Sequence, residues 1–477
     1  MSQISIAAPA WSVSPLRPAP ARTAQSRVNT LLDALLALGI MLSGASQLRV
    51  SGVPLGPGEA CLFGWAALRV SRTVLYGREE ISAPCRVIMI FWVVFGIAQS
   101  IGLIRALCLN VPVDWSLTLH DATAYALVAL ISTFSLSGAE AGSSLERVTR
   151  YLLASSAVSL GLQIVSGLGL LPAPGAGPWY WDRFRGWADN PNQLSLFCAV
   201  ITAIAVFFFE TATTRADRLI ALTCAVAAFT AGFLTRGNTM RLSLAIGACL
   251  FVATLFRNHA FRHGRRATVP VLCFVLAIAA MPAVLVAALP TMLQFSTKEV
   301  AQSVSRDQGE TLNEADLRFS LWSGAFQSGL ESFYLGLGPG PHAPVPIDVT
   351  LRRVWDTDVA EESLGLIAKH ADFMESHDVY IELFSQGGLL LIVAYGWLIM
   401  RAARHALASG SAGLVALLCV FLVFGVFHVI VRHPIVWLAL CLCLAGRGAP
   451  DRTSPSNRGS GFNARAKPWR SDRSTAS

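Results

Sequence analysis

Long apolar stretches, repeated from one end of the chain to the other, decide what this sequence can fold into. A bilayer core takes about 20 apolar residues per helix. Runs of that kind fall at 29–48, 55–75, 85–105, 117–137, 150–171, 191–210, 219–235, 239–256, 268–290, 378–400, 412–429 and 433–447. They are continuous rather than alternating. That excludes the closed β-barrel, the other structure able to satisfy its backbone inside lipid. With 54% hydrophobic and 14% charged residues over 477 positions, a soluble globular chain is excluded as well. The expected fold is an all-α polytopic membrane protein with about twelve transmembrane helices.

Lys and Arg in short loops set the orientation, because basic loops stay in the cytoplasm. Arg17, Arg22 and Arg27 precede the first run, and Arg72, Arg78 and Arg86 separate the second from the third. Arg147 and Arg150, Arg215 and Arg218, and Arg257, Arg262, Arg265 and Arg266 precede the fifth, seventh and ninth. Arg401 and Arg404 follow the tenth, and six more cations fill the tail. An even helix count puts every group on one side, the cytoplasm, together with both termini. The net charge of +8 then reflects loops facing anionic lipid, so membrane lipids are expected as partners and nucleic acid is not.

The chain divides accordingly. Residues 1–28 read as a disordered cytoplasmic tail, 29–290 as helices one to nine, and 377–447 as helices ten to twelve. Residues 448–477 read as a disordered basic cytoplasmic tail. Between helices nine and ten, 291–376 forms an extracytoplasmic acidic loop domain with thirteen Asp and Glu against six Lys and Arg. Within it, 317–330 reads as an amphipathic helix, and Gly336, Gly338, Pro339 and Gly340 force a turn. The ten cysteines avoid this segment and form no Cys-x-x-Cys pair, so neither a disulfide framework nor a zinc site is expected. No Walker-type phosphate loop occurs. No cofactor and no metal are expected, and Asp356-Thr357-Asp358 reads as solvated surface.

Four constellations collect on the outward side. Residues 179–193 (WYWDRFRGWADNPNQ) combine an aromatic belt with Arg183 and Arg185. There Asn190 is a natural helix N-cap before Pro191, with Asn192 in the first turn. The free N–H groups of that helix end favour an anion. As a fold element this is an ordinary interfacial loop, but two arginines at an outward mouth, where positive charge is depleted, ask for more. Arg236-Gly237 forms a tight turn, and a guanidinium there binds phosphate oxygens bidentately or snorkels to lipid phosphate. Arg318 sits in Asp316-Leu317-Arg318-Phe319, which by itself is a surface helix. Finally, Glu375-Ser376-His377-Asp378-Val379-Tyr380-Ile381-Glu382 leads back into the membrane. His377 titrates near neutrality and can take a proton from a sugar hydroxyl. As a bare motif it is equally a helix-cap histidine, with Glu375, Asp378 or Glu382 as candidate orienting groups. Arg432 and His433, before the last run, form a second rim, and His120 and Asp121 read as a capped helix start.

Taken in order, these segments resemble the O-antigen ligase and O-antigen polymerase superfamily. The resemblance is carried by Arg185 to Asn192 (Arg-x-x-x-x-Asn-Pro-Asn), Arg236-Gly237 and Arg318 with Leu321-Trp322. Gly336-x-Gly338-Pro339-Gly340 and His377-x-x-Tyr380-x-Glu382 complete it, and it covers roughly residues 150–447. It implies an integral bacterial inner-membrane glycosyltransferase, metal-independent and inverting. The donor is an undecaprenyl-diphosphate-linked glycan, and the acceptor is lipid A-core or another lipid-linked glycan. Arg185, Arg236 and Arg318 would hold the diphosphate, and His377 would activate the acceptor hydroxyl. Arg183, Asn190, Asn192, Asp378, Tyr380, Glu382 and Arg432 would support them. The family often has His-Asn where this chain has His377-Asp378, which leaves the acceptor contacts open. The ligase reading leads, with an O-antigen or exopolysaccharide polymerase as the alternative of the same chemistry. A flippase for a lipid-linked sugar would need ionisable residues at mid-membrane depth, which are nearly absent, and a non-catalytic scaffold would tolerate loss of His377.

Overall fold

The computed structural model describes residues 21–49, 56–76, 81–172, 175, 177–180, 182–262, 314–344 and 373–446. Twelve α-helices follow one another within them. They are α1 (Ala21–Ser43), α2 (Pro57–Tyr76), α3 (Ala83–Cys108), α4 (Trp115–Ser135), α5 (Ala141–Gly167) and α6 (Pro191–Thr211). Then come α7 (Arg215–Leu234), α8 (Asn238–Arg262), α9 (Glu314–Glu331), α10 (Val379–Ala408), α11 (Ala412–Gly425) and α12 (Pro434–Ala445). Two pairs of two-residue antiparallel strands interrupt them: β1 (Trp179–Tyr180) with β2 (Arg183–Phe184), and β3 (Ala343–Pro344) with β4 (Phe373–Met374).

Among the described residues, seven helices are long and apolar enough to cross a membrane: α3 to α7, α8 as far as Asn258, and α10. The chain is thus a polytopic helical membrane protein. α11 and α12 are shorter, at 14 and 12 residues. The apolar run expected at 412–429 is helical only to Gly425, after which the chain turns through 426–433. The amphipathic helix expected at 317–330 is present as α9. The expected ninth span at 268–290, Asp356-Thr357-Asp358, Trp181, residues 1–20 and the basic tail lie outside the described residues.

Helix starts follow local chemistry. Ser82, Asp114, Asn190, Thr214, Asp378 and Ser411 each accept a backbone N–H of the first turn through a side-chain oxygen, which satisfies donors that have no partner inside the helix. α6, α11 and α12 form the centre. In α6, 72% of the spanning window is buried, against 33% in α7, which leaves α7 a lipid-facing side.

At one end of the bundle the basic turns bind one another. Asp33 accepts from Ser144 Oγ and Arg147 Nε (2.5 and 2.7 Å), and Arg150 pairs with Asp217 (2.7 Å). Asn258 Nδ2 donates to Gly410 O (2.6 Å), while Glu210 accepts from Ser411 Oγ and the amides of Ala412 and Gly413. The other end holds the outward-assigned turns. α10 breaks near that end at Gly388, whose φ of 63° and ψ of −158° only glycine adopts readily. The break frees Ser385 O and Gln386 O to accept from Leu337 N and Gly338 N (both 2.8 Å), and Leu389 N donates to Tyr334 O (2.9 Å). The glycine turn after α9 is therefore stitched onto the broken helix.

Candidate functional site

The ends of α1, α2, α4, α6, α10, α11 and α12, with α9, line an open cavity of about 980 Å³. Its walls are rich in cations and imidazoles: Arg49, Arg318, Arg432, His120, His377, His428 and His433, with Glu59 and Glu375 as the acidic groups. Asn190, Asn192 and Gln193 complete it from the start of α6. Residues distant in sequence thus reach one space of the size that holds a ligand.

Two of the four principal candidates, Arg318 and His377, line this cavity, as do Asn190, Asn192 and Arg432. His377 is half-buried and carries a φ of 56°, a left-handed backbone that few non-glycine residues adopt. The residues after it fix that conformation. Asp378 Oδ1 accepts from Tyr380 N (2.7 Å) and Ile381 N (2.9 Å) as the N-cap of α10. Glu382 Oε2 accepts from both the amide and the hydroxyl of Ser376 (2.8 Å each), and Glu382 Oε1 accepts from Gln386 Nε2 (3.0 Å). Gln386 Oε1 in turn accepts from Gln99 Nε2 and Tyr125 OH. Tyr380 OH donates to Leu422 O (3.2 Å), anchoring α10 on α11.

Arg432 forms the opposite rim. Its guanidinium is bound by both Asp121 and Glu375. His120 Nδ1 also meets Asp121 Oδ1 at 3.3 Å. Burial pushes the Glu375 carboxyl up, but the Arg432 charge and hydrogen bond, with His377 and His433, outweigh it and hold Glu375 below its ordinary range. Burial lowers the His433 imidazole to about 4, with Arg432 adding to the effect, so it is neutral at pH 7. Burial raises the Asp378 carboxyl to about 6, opposed by the cap hydrogen bonds from Ile381 and Tyr380. Burial, with the nearby Arg318 and Arg183 guanidinium groups adding to it, holds the His428 imidazole well below its ordinary range.

Arg183, Arg185 and Arg236 do not line the cavity; they build its neighbouring loop. Arg185 is buried, donating to Gly177 O (3.0 Å) and Asp189 O (3.4 Å), with its guanidinium 5.5 Å from the Tyr180 ring. Arg183 donates to Thr235 O (3.1 Å) and to Asn192 Oδ1 (2.8 Å), so it holds a cavity residue by its oxygen. Arg236, with a φ of 55°, is half-exposed and paired with Asp182.

His428 and Arg49 are cavity residues that sequence reasoning missed. His428 sits in an apolar run, and Arg49, paired with Glu59 at 3.1 Å, looks like a flanking charge. Among the described residues, no group of three or more His, Cys, Asp or Glu side chains is placed to hold a metal ion.

Residues 223–396, just over a third of the chain, match the family model described as O-antigen ligase. The match runs from α7 through the break in α10, takes in Arg236, Arg318 and His377, and supports the O-antigen ligase and polymerase superfamily for this protein. No curated protein matches the chain.

Proposed function

We propose that this protein is a ligase-type membrane glycosyltransferase of the bacterial inner membrane, working on the outer side with both termini cytoplasmic. It transfers a glycan from an undecaprenyl-diphosphate carrier to an acceptor hydroxyl, with lipid A-core as the acceptor. The observation that carries this reading is the meeting of Arg318, Arg432 and His377 in one cavity, inside or beside the stretch that matches the ligase family.

His377 accepts the proton of the acceptor hydroxyl. That oxygen attacks the anomeric carbon from the face opposite the carrier, and the bond from the anomeric carbon to the phosphate oxygen breaks. The configuration inverts, and the electron pair leaves with the diphosphate. The growing negative charge is met by fixed cations beside low-dielectric lipid, where their stabilisation is largest in the transition state. Arg318 is the direct diphosphate ligand, and Arg432, bound by Asp121 and Glu375, holds the rim of the cavity in place. Arg185, Arg183 and Arg236 act through the 177–192 loop, which positions Asn190 and Asn192 at the start of α6. Glu382 acts through Ser376 to hold His377 in place, and Tyr380 fixes the first turn of α10. No metal and no cofactor enter this scheme.

Surface glycans and the lipid-linked pool of cells lacking the protein test this reading. Bare lipid A-core with long polymer stranded on the carrier identifies a ligase. Single repeat units on lipid A-core with no long polymer identify a polymerase of the same chemistry. An unchanged pattern of both pools contradicts the transferase reading.

A further inference from the structure

The end of α9 and the turn after it carry a row of large apolar side chains on the surface. Phe326 is 50% exposed, Phe333 71%, Tyr334 55% and Leu335 44%. With Phe319 and Leu330 they form one face of α9 and its continuation, while Gln327 and Glu331 pair with each other on another (2.8 Å). An exposed apolar row of this length on an outward segment needs an occupant.

The turn is not held out in solvent. Gly338 packs so closely on α3 that a Cβ at Gly102 would collide with its amide nitrogen. Gly102 lies six residues before the end of α3, so at 1.5 Å per residue the turn sits about 9 Å below that helix end. Successive backbone groups of the turn are tied to protein: Gly336 N to Ser332 Oγ, Leu337 N and Gly338 N to α10, and Tyr334 O to Leu389 N. Irregular backbone survives at membrane depth only when protein satisfies it in this way. The outward side chains are continuous with the exposed face of α3, where Ile97, Ile101 and Ile104 are bare. The Arg105 guanidinium lies 4.8 Å from the Phe333 ring and joins the two surfaces. α3 is itself a membrane-spanning helix, so the surface beside it faces acyl chains.

We infer that the 326–338 segment is a re-entrant wedge whose apex, Phe333 to Leu335, is inserted among the phospholipid acyl chains of the outer leaflet. Its lower backbone is locked between α3 and the broken α10. Arg318 lies on the same helix, about three and a half turns before its end. The inference needs the membrane reading of the chain but not the reaction proposed above.

Photo-crosslinking of the full chain in native membrane vesicles tests it. A benzophenone amino acid is placed at Phe333, at Leu335 and, as the polar-face control, at Gln327. The wedge predicts phospholipid acyl-chain adducts several-fold more abundant at 333 and 335 than at 327, whether or not the variants transfer glycan. Lipid adducts equal at all three positions, or adducts at 333 and 335 mainly to a second copy of the chain, overturn it.

Discussion

Replacing Arg432 by Ala removes the one guanidinium that binds both Asp121 and Glu375. The Arg432 side chain is 17% exposed and the Asp121 side chain 4%, so the substitution leaves a buried carboxylate without its cation. Breaking such a pair from one side costs about 3–5 kcal/mol, most of it the penalty of the orphaned charge. Glu375 is 37% exposed and adds less. For a chain of this size the unfolding entropy makes each kcal/mol worth about 1 °C, so the midpoint should fall by about 3–5 °C. Thermal unfolding of the purified protein in micelles measures it. The second variant is Arg432→Ala with Asp121→Asn, in which no buried carboxylate remains at that position. It should recover more than half of the loss. Equal or greater loss in the double variant would refute the argument. The same pair governs acid behaviour. Because the Glu375 carboxyl lies below its ordinary value of 4.5, its stabilisation is present above that pH and lost as pH falls through the folded value. Arg432→Ala should flatten that part of the acid limb.

Further outcomes follow from the same geometry. Gly388→Ala places a Cβ on Tyr334 O and forces a φ of 63° on alanine, so it should cost about 3 kcal/mol or more and loosen the glycine turn, read as new protease sensitivity near 334–340. Asp378 has a folded pKa of about 6 against 3.8, so its contribution to stability is largest at low pH and declines as pH rises from about 4 to 6. Asp378→Asn keeps the cap without the buried charge and should stabilise the fold at pH 7, by on the order of 3 kcal/mol as an upper bound, while the gain vanishes near pH 4. Arg318→Ala should lower glycan transfer by 100-fold or more, roughly the loss of one charge-stabilising donor, in a chain that still unfolds cooperatively. Arg185→Ala should lose transfer together with stability, because Arg185 bonds the carbonyls of Gly177 and Asp189; unfolding curves separate the two cases.

What the sequence revealed was the local physics. Apolar runs announced the spanning helices, and Asn190-Pro191 announced the start of α6 by capping rules that need only neighbouring residues. Asp378 carries the same signal, a short carboxylate before an apolar helix. Its proximity to His377 suggested an orienting role, yet both hydrogen bonds to its Oδ1 come from its own helix end. The rest depended on distance along the chain. Arg432 meets Asp121 and Glu375 across 311 and 57 residues, and no pattern within a turn or a helix encodes such a pairing. The same holds for Arg185: an arginine among aromatics at an outward mouth reads as a ligand for anions, and only the fold reveals the carbonyls it satisfies. His428 was hidden because a run of apolar residues masks the point where α11 stops. The break in α10 had a signal in Gly387-Gly388, but its purpose, to receive the turn after α9, required the partner strand of backbone.

The central claim is that the Arg318–His377 cavity performs glycan transfer, with His377 as the base. The measurement is single-turnover transfer from an undecaprenyl-diphosphate-linked glycan to a lipid A-core acceptor by purified protein in lipid vesicles, comparing the unmodified chain with His377→Ala. His377→Ala should lose at least 100-fold in the rate of transfer, with unchanged binding of the carrier. Transfer at the unmodified rate by a well-inserted His377→Ala protein would contradict it.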